Sequence, residues 1–326
     1  MRSPIDSFAP PARVAVLGAT GCVGRHLCTA FAARGSDVLA VARRPAQHLA
    51  AHRFEPLDLA ATDPERLAGL LAARRTDVVV NATLGWGDDL LAVNVGLVER
   101  LLEALRLMPA PQRPRLVQLG TIHEYGPCPY GTSVTERTRP EPQAPYPRAK
   151  LTASRLVLDA VQDGTVDATV LRMANTIGPH PARQSFLGSL AFRLAEAGPD
   201  TRIELTVADA RRDYVDVRDA ADAVVRSACR PRPARHDALG PVVNVGRGEA
   251  PEIAGLVRTL VAATGLPPEV VRTRRGEIVG QGGDWIMVDP SRARRLLGWR
   301  PRYGIEASVR AMWDTVRTDA VAGGAG

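Results

Sequence analysis

The stretch RVAVLGATGCVG, residues 13–24, decides the fold. Its first half, RVAVLG, is a continuous apolar run that reads as a buried strand. The second half places Gly18, Gly21 and Gly24 three apart, with Thr20, Cys22 and Val23 between them. Glycines at a strand-to-helix turn let the backbone bend sharply and approach a ligand closely. The helix that follows offers unpaired N–H groups and a positive dipole end, which suit a pyrophosphate. Gly18, Thr20, Gly21, Cys22, Val23 and Gly24 are therefore candidate cofactor contacts. The plainer alternative is a tight turn that packs a helix close to its strand.

Outward from this turn, a helix over about Val23 to Arg34, closed by Gly35, leads to a second strand, DVLAVA (37–42). NAD binders usually place an acid at the end of this strand to hold the adenosine ribose. Here Ala42 takes that position, and Arg43 and Arg44 follow. Two guanidinium groups suit a 2′-phosphate; the alternative is a solvated basic turn. The pair favours NADP(H), with NAD(H) as the other possibility.

The alternation continues. A strand through Phe54 to Leu57, a helix from Pro64 capped by Asp63, and strand DVVVNA (77–82) are expected. Helix LLAVNVGLVERLLEAL (90–105) and strands RLVQLG (115–120) and TVLRMAN (169–175) follow. Apolar strands between helices predict a Rossmann-like, doubly wound parallel sheet covered on both faces, an α/β fold. Residues 13–174 form the expected cofactor domain. Residues 175–318 form a smaller α/β substrate domain, with the strand at 242–246 a candidate to return to the main sheet. Residues 1–12 and 319–326 read as a flexible leader and tail. The long Pro- and Gly-rich loop from Gly120 to Pro145 reads as functional.

The chain has 326 residues and a formal net charge of +7, with ordinary apolar and charged content. Its arginines are spread along the chain with few aromatics among them, which argues for an anionic small molecule rather than nucleic acid. No apolar run is long enough for a membrane span. The leader lacks the apolar centre of a signal peptide. Cys22, Cys28, Cys128 and Cys229 show neither C-x-x-C spacing nor a disulfide framework. The histidines have no metal-ligand spacing. A reduced, cytoplasmic, metal-free protein is expected.

Lys150 is the only lysine among 42 basic residues. It stands four residues after Tyr146, in YPRAK, so the two share a helix face. An ammonium near a phenol favours the phenolate and lowers the tyrosine pKa. That makes Tyr146 a candidate proton donor and acceptor. Lysine's compact head also suits a cofactor ribose in a way that arginine's planar fork does not.

With these elements in place, the chain resembles the extended short-chain dehydrogenase/reductases, in particular the NAD-dependent epimerase/dehydratase branch acting on nucleotide sugars. The resemblance runs from about Arg13 to Trp313. It is carried by GATGCVG, DL at 58–59, NAT at 81–83, NVG at 94–96, GTIHEYG at 120–126 and YPRAK. Downstream it continues through LRMANTIGPH at 171–180, RRDYVDVRD at 211–219, NVGRG at 244–248 and DPSRARRLLGWRPRY at 289–303. The resemblance implies that Thr121 holds the reacting oxygen, Tyr146 transfers a proton, and Lys150 tunes it and binds the nicotinamide ribose. It places Asp58 and Leu59 by the adenine and Ala82 and Thr83 along the cofactor groove. Asn175, Arg212 and Arg275 take positions that meet a substrate diphosphate. It also implies a homodimer paired through the helices beginning near Leu90 and Tyr146.

The chain departs from the branch at Ile122 and His123, where the 4,6-dehydratases carry an Asp-Glu pair. Dehydration is therefore disfavoured. His123 either lines the sugar pocket or moves protons, and Trp86 either walls that pocket or packs a loop. The expectation is an NADP(H)-dependent reductase of a nucleotide-activated keto-sugar such as a 4-keto-6-deoxyhexose. An NAD-dependent nucleotide-sugar epimerase is the second reading, and a non-catalytic cofactor-binding regulator the third.

Overall fold

The computed structural model describes residues 9–198, 201–230, 240–276 and 283–323. Most of the leader, part of the loop after Arg275 and the last three residues of the tail lie outside the described residues.

The first half alternates as its apolar runs require. Strand β1 (Arg13–Leu17) leads through the glycine turn to α1 (Cys22–Ala32), then β2 (Asp37–Ala42) and β3 (Arg53–Pro56). Next come α2 (Pro64–Ala73), β4 (Val78–Asn81), α3 (Leu97–Leu107) and β5 (Arg115–Thr121). The half closes with α4 (Pro145–Gln162) and β6 (Ala168–Met173). The second half begins with β7 (Asn175–Ile177), α5 (Phe186–Ala195), β8 (Ile203–Val207), β9 (Arg211–Arg212) and β10 (Tyr214–Asp216). It continues with α6 (Val217–Cys229), β11 (Val242–Val245), α7 (Ile253–Thr264) and β12 (Val271–Arg275). It ends with β13 (Trp285–Ile286), α8 (Ser291–Leu297) and α9 (Ile305–Gly323).

Seven parallel strands form the central sheet in the order β11-β6-β5-β4-β1-β2-β3. Successive residues of β1 point to opposite faces. Val14 and Val16 enter one apolar cluster with Leu27, Phe31, Val224 and Trp299. Ala15 and Leu17 enter another with Leu71, Leu101, Leu105 and Val157. Both faces are thus covered, which is why the strands read as unbroken apolar runs. A third cluster, outside the sheet, joins α5, α7 and α9 through Leu190, Leu194, Leu256, Leu260, Met312 and Trp313.

Several elements differ from their sequence reading. The segment expected to enter α3 as regular helix is a π-helical turn over Ala92–Gly96. Asp63 stands at the N-cap of α2 but makes no side-chain capping bond, so Pro64 at the first turn carries that signal alone. The sixth strand stops at Met173, and Asn175 opens β7, which pairs with β10 instead of the sheet. Helix α9 continues to Gly323, past residue 318, where the tail is expected to begin. Strand β11 pairs with β6 at the edge of the main sheet.

Candidate active site

The glycine turn lies at the C-terminal end of β1, between β2 on one side and β4 on the other. An open parallel sheet reverses its winding there and leaves a crevice. Gly18 has φ +79°, a left-handed conformation that a β-carbon opposes. A β-carbon at Gly24 would come 2.1 Å from the Gly18 carbonyl oxygen. Glycine at both positions therefore keeps α1 close against β1. The Gly18 and Ala19 amides donate to Val41 O, and Gly21 N donates to Gly18 O. The amides of Thr20, Cys22, Val23 and Gly24 donate to no backbone carbonyl among the described residues. This is an N-terminal cradle of free donors, and it fits a pyrophosphate.

Around the cradle, Arg43 and Arg44 are exposed directly after β2. The Asp58 carboxylate accepts from Ala60 N at 3.0 Å and shapes its own turn, and Leu59 is buried. Asn81 Oδ1 holds both the amide and the hydroxyl of Thr83, at 3.2 and 2.6 Å. The wall at Ala82–Thr83 is thereby fixed. These groups fit a nicotinamide dinucleotide. Among the described residues, no group of three or more His, Cys, Asp or Glu side chains is placed to hold a metal ion.

Thr121 is the last residue of β5 and the N-cap of a 3-10 turn over Ile122–Tyr125. Its hydroxyl accepts from His123 N at 3.3 Å. Tyr146 and Lys150 stand in the first turns of α4, which opens with Pro145. The Thr121 hydroxyl interacts with the Tyr146 phenol, and Lys150 is only 4% exposed. Trp86, 55% exposed, stacks on Tyr146 with ring centroids 4.5 Å apart.

The electrostatic balance of this group runs against the expectation of a lowered tyrosine pKa. Burial pushes Tyr146 up, the Glu124 carboxylate pushes it further up, and the contact with Thr121 opposes both. Burial lowers Lys150 to about 8, partly countered by Glu124. Desolvation, which spacing alone does not reveal, is the largest influence on both groups. At neutral pH the phenol holds its proton and the ammonium keeps its charge.

Glu124 was not singled out in the sequence. It is fully buried, and its carboxylate accepts from Thr121 N at 2.9 Å and Ser154 Oγ at 3.0 Å. Arg172 Nε donates to its other oxygen at 2.8 Å. A β-carbon at Gly120 would meet Glu124 Oε1 at 2.5 Å, so this glycine makes room for the carboxylate. The readable signal is the T-x-x-E capping box, in which the threonine and glutamate satisfy each other's orphan amides.

On the other side of Thr121, His123 Nε2 lies 3.0 Å from Asn175 Oδ1. Asn175 Nδ2 donates to Asp213 O at 3.1 Å. The Arg212 guanidinium acts on His123, so His123, Asn175 and Arg212 gather in one cluster. Arg212 is 7% exposed. The nearby Asp213 carboxylate accepts from Arg247 N and Gly248 N, each at 2.9 Å. Arg275 is exposed and pairs with Asp209 at 3.2 Å. No described contact brings Arg275 to the cluster.

Residues 14–246 match the model of the NAD dependent epimerase/dehydratase family. The chain is 40% identical over 320 residues to a dTDP-6-deoxy-L-talose 4-dehydrogenase (NAD(P)(+)) of Kitasatospora kifunensis, covering 96% of this chain and 98% of that protein. Among solved structures, a mutant UDP-glucuronic acid 4-epimerase from Bacillus cereus is similar with a TM-score of 0.79 at 21% identity, covering 94% of this chain and 99% of that one. A structure of RMD from Pseudomonas aeruginosa complexed with NADPH gives a TM-score of 0.75 at 22% identity, covering 95% and 98%. These two likenesses concern the fold.

Proposed function

The chain belongs to the NAD-dependent epimerase/dehydratase family, and we propose that within it the protein is an NADP(H)-dependent reductase of a nucleotide-activated 4-keto-6-deoxyhexose. The observation that carries this reading is the meeting of Thr121 with a protonated Tyr146, one helical turn before the buried Lys150, at the same C-terminal edge of the sheet as the glycine cradle. The relative from Kitasatospora kifunensis is named for oxidation at C4 of a nucleotide-linked 6-deoxy sugar. Reduction of the corresponding ketone is the same reaction run backwards, through the same groups. Arg43 and Arg44, with no acid at the end of β2, support NADP(H) over NAD(H).

A reduced nicotinamide, when bound, supplies the hydride that adds to the carbonyl carbon. Thr121 Oγ1 positions the carbonyl oxygen, and the Tyr146 phenol gives that oxygen its proton and is left as phenolate. A phenol whose pKa is raised holds its proton at neutral pH and releases it to the more basic developing alkoxide. Lys150, one helical turn away, supplies a cation toward the phenolate that forms. Asn175 and Arg212 are assigned to the diphosphate, and Trp86 to the apolar side of the sugar. Ile122 is fully buried and carries no acid or base, which supports reduction over elimination of water.

We assign residues 13–174 to the cofactor and most of 175–318 to the substrate. We also assign a homodimer paired through α3 and α4, which light scattering at micromolar concentration tests; a monomer refutes it. The test of function is incubation with nucleotide keto-sugars and NADPH, following absorbance and product mass. A gain of two hydrogens with loss of NADPH is expected. An isomer of unchanged mass, with NADPH intact, refutes the reductase reading in favour of epimerisation.

A further inference from the structure

The hydrogen bonds around His123 have a fixed polarity. Asn175 Nδ2 donates to Asp213 O at 3.1 Å, which turns Asn175 Oδ1 toward His123. A carbonyl oxygen only accepts, so His123 Nε2, 3.0 Å away, carries the hydrogen. In the neutral ring, Nδ1 then holds a lone pair. Nδ1 takes no hydrogen bond from any described residue, yet it is not one of the buried polar atoms sealed without a partner. The residue is half-buried, and Nδ1 therefore keeps some surface that a ligand can reach.

The groups that act on the ring are Asn175 from β7 and the Arg212 guanidinium from β9. Neither is an anion that would favour a second proton on the ring. Burial and Arg212 hold the imidazole below its usual range, outweighing the bond with Asn175.

We infer that His123 is a fixed, neutral hydrogen-bond acceptor that selects sugars bearing a hydroxyl on the carbon beside the reacting carbonyl. The inference rests on the reductase reading for its substrate, and on the Asp213–Asn175–His123 chain for its chemistry. Thr121 positions the carbonyl oxygen, and His123, whose backbone amide donates to Thr121 Oγ1, meets a neighbouring substituent. A hydroxyl there donates to Nδ1. A ketone or ether oxygen at the same place would set two acceptors against each other. The arrangement also opposes proton shuttling, because a shuttle would pass through an imidazolium beside Arg212. His123 is thus a specificity residue.

Two measurements test this. In protein labelled with 15N-histidine, the His123 signals, assigned by their loss in His123→Phe, should show a neutral Nε2–H ring between about pH 6 and 8. An imidazolium near pH 7, or the Nδ1–H form, overturns the inference whatever the substrate. In the second, wild type is given NADPH with a thymidine-diphosphate 4-keto-6-deoxyhexose or its counterpart lacking the C3 hydroxyl. The deoxy compound should lose roughly 10- to 100-fold in kcat/KM. In His123→Phe the two substrates should come within about 3-fold of each other, with NADPH affinity unchanged as a check on folding. Undiminished discrimination in the variant overturns the inference. Failure of wild type to reduce either compound instead refutes the reductase reading, while the ring signals still decide the tautomer.

Discussion

Replacing Lys150 by methionine should stabilise the protein while removing its activity. Burial lowers the ammonium from 10.5 to about 8. At about 1.4 kcal/mol for each factor of ten in proton affinity, the charged form costs the folded state about 3 kcal/mol. A lowered folded-state pKa means that the unfolded chain binds the proton more tightly. The penalty is therefore fully present below about pH 8 and disappears as pH rises toward 10.5. Methionine keeps the apolar stem without the charge. It also removes a partner of Glu124, but that carboxylate keeps Arg172 at 2.8 Å and is not stranded. A net gain of about 2–3 kcal/mol at pH 7 follows, shrinking toward zero near pH 10. Urea unfolding of both proteins at the two pH values measures it. No other lysine titrates in this window, so the difference between the proteins isolates one group. A variant less stable than wild type at pH 7, or an advantage undiminished at pH 10, would refute the reasoning. NADPH-dependent turnover should be lost at both.

Arg43→Ala with Arg44→Ala should weaken NADPH by roughly 1.5–3 kcal/mol for each charged hydrogen bond lost. NADH should be nearly unaffected, and calorimetric titration of both cofactors checks this. Glu124→Ala strands Arg172, whose side chain is 5% exposed, and should cost about 3–5 kcal/mol in urea unfolding. Gly24→Ala places a β-carbon 2.1 Å from a backbone oxygen, so the turn must open. Cofactor affinity should then fall at least about tenfold, or about 1.4 kcal/mol, in a fluorescence titration.

The central sheet was legible because burial on both faces leaves unbroken runs such as RVAVL and DVLAVA. The glycine turn was legible because only glycine tolerates its φ and its close approach. What stayed hidden depends on long-range partners or on solvent. The π-helical turn at Ala92–Gly96 has the same apolar periodicity as a regular helix entrance. The pairing of Asn175 with Tyr214 joins short strands far apart in sequence. The T-x-x-E spacing at Thr121 went unread, and nothing local announces that Arg172 and Ser154 close around its carboxylate. For Tyr146, spacing pointed to a cation, whereas the loss of water and the Glu124 carboxylate that raise its pKa appear only once the chain is folded.

The solitary, buried lysine also gives the molecule an unusual labelling chemistry. Arginine guanidiniums do not react with acylating reagents under conditions that modify amines, so the exposed cations offer no competing sites. An amine-directed probe should mark the chain's α-amino group and leave Lys150 untouched while α4 stays packed. Acylation at Lys150, read by mass, would then count openings of α4 directly. If Lys150 serves Tyr146 as proposed, each such event would silence one molecule, and the rates of modification and inactivation should coincide.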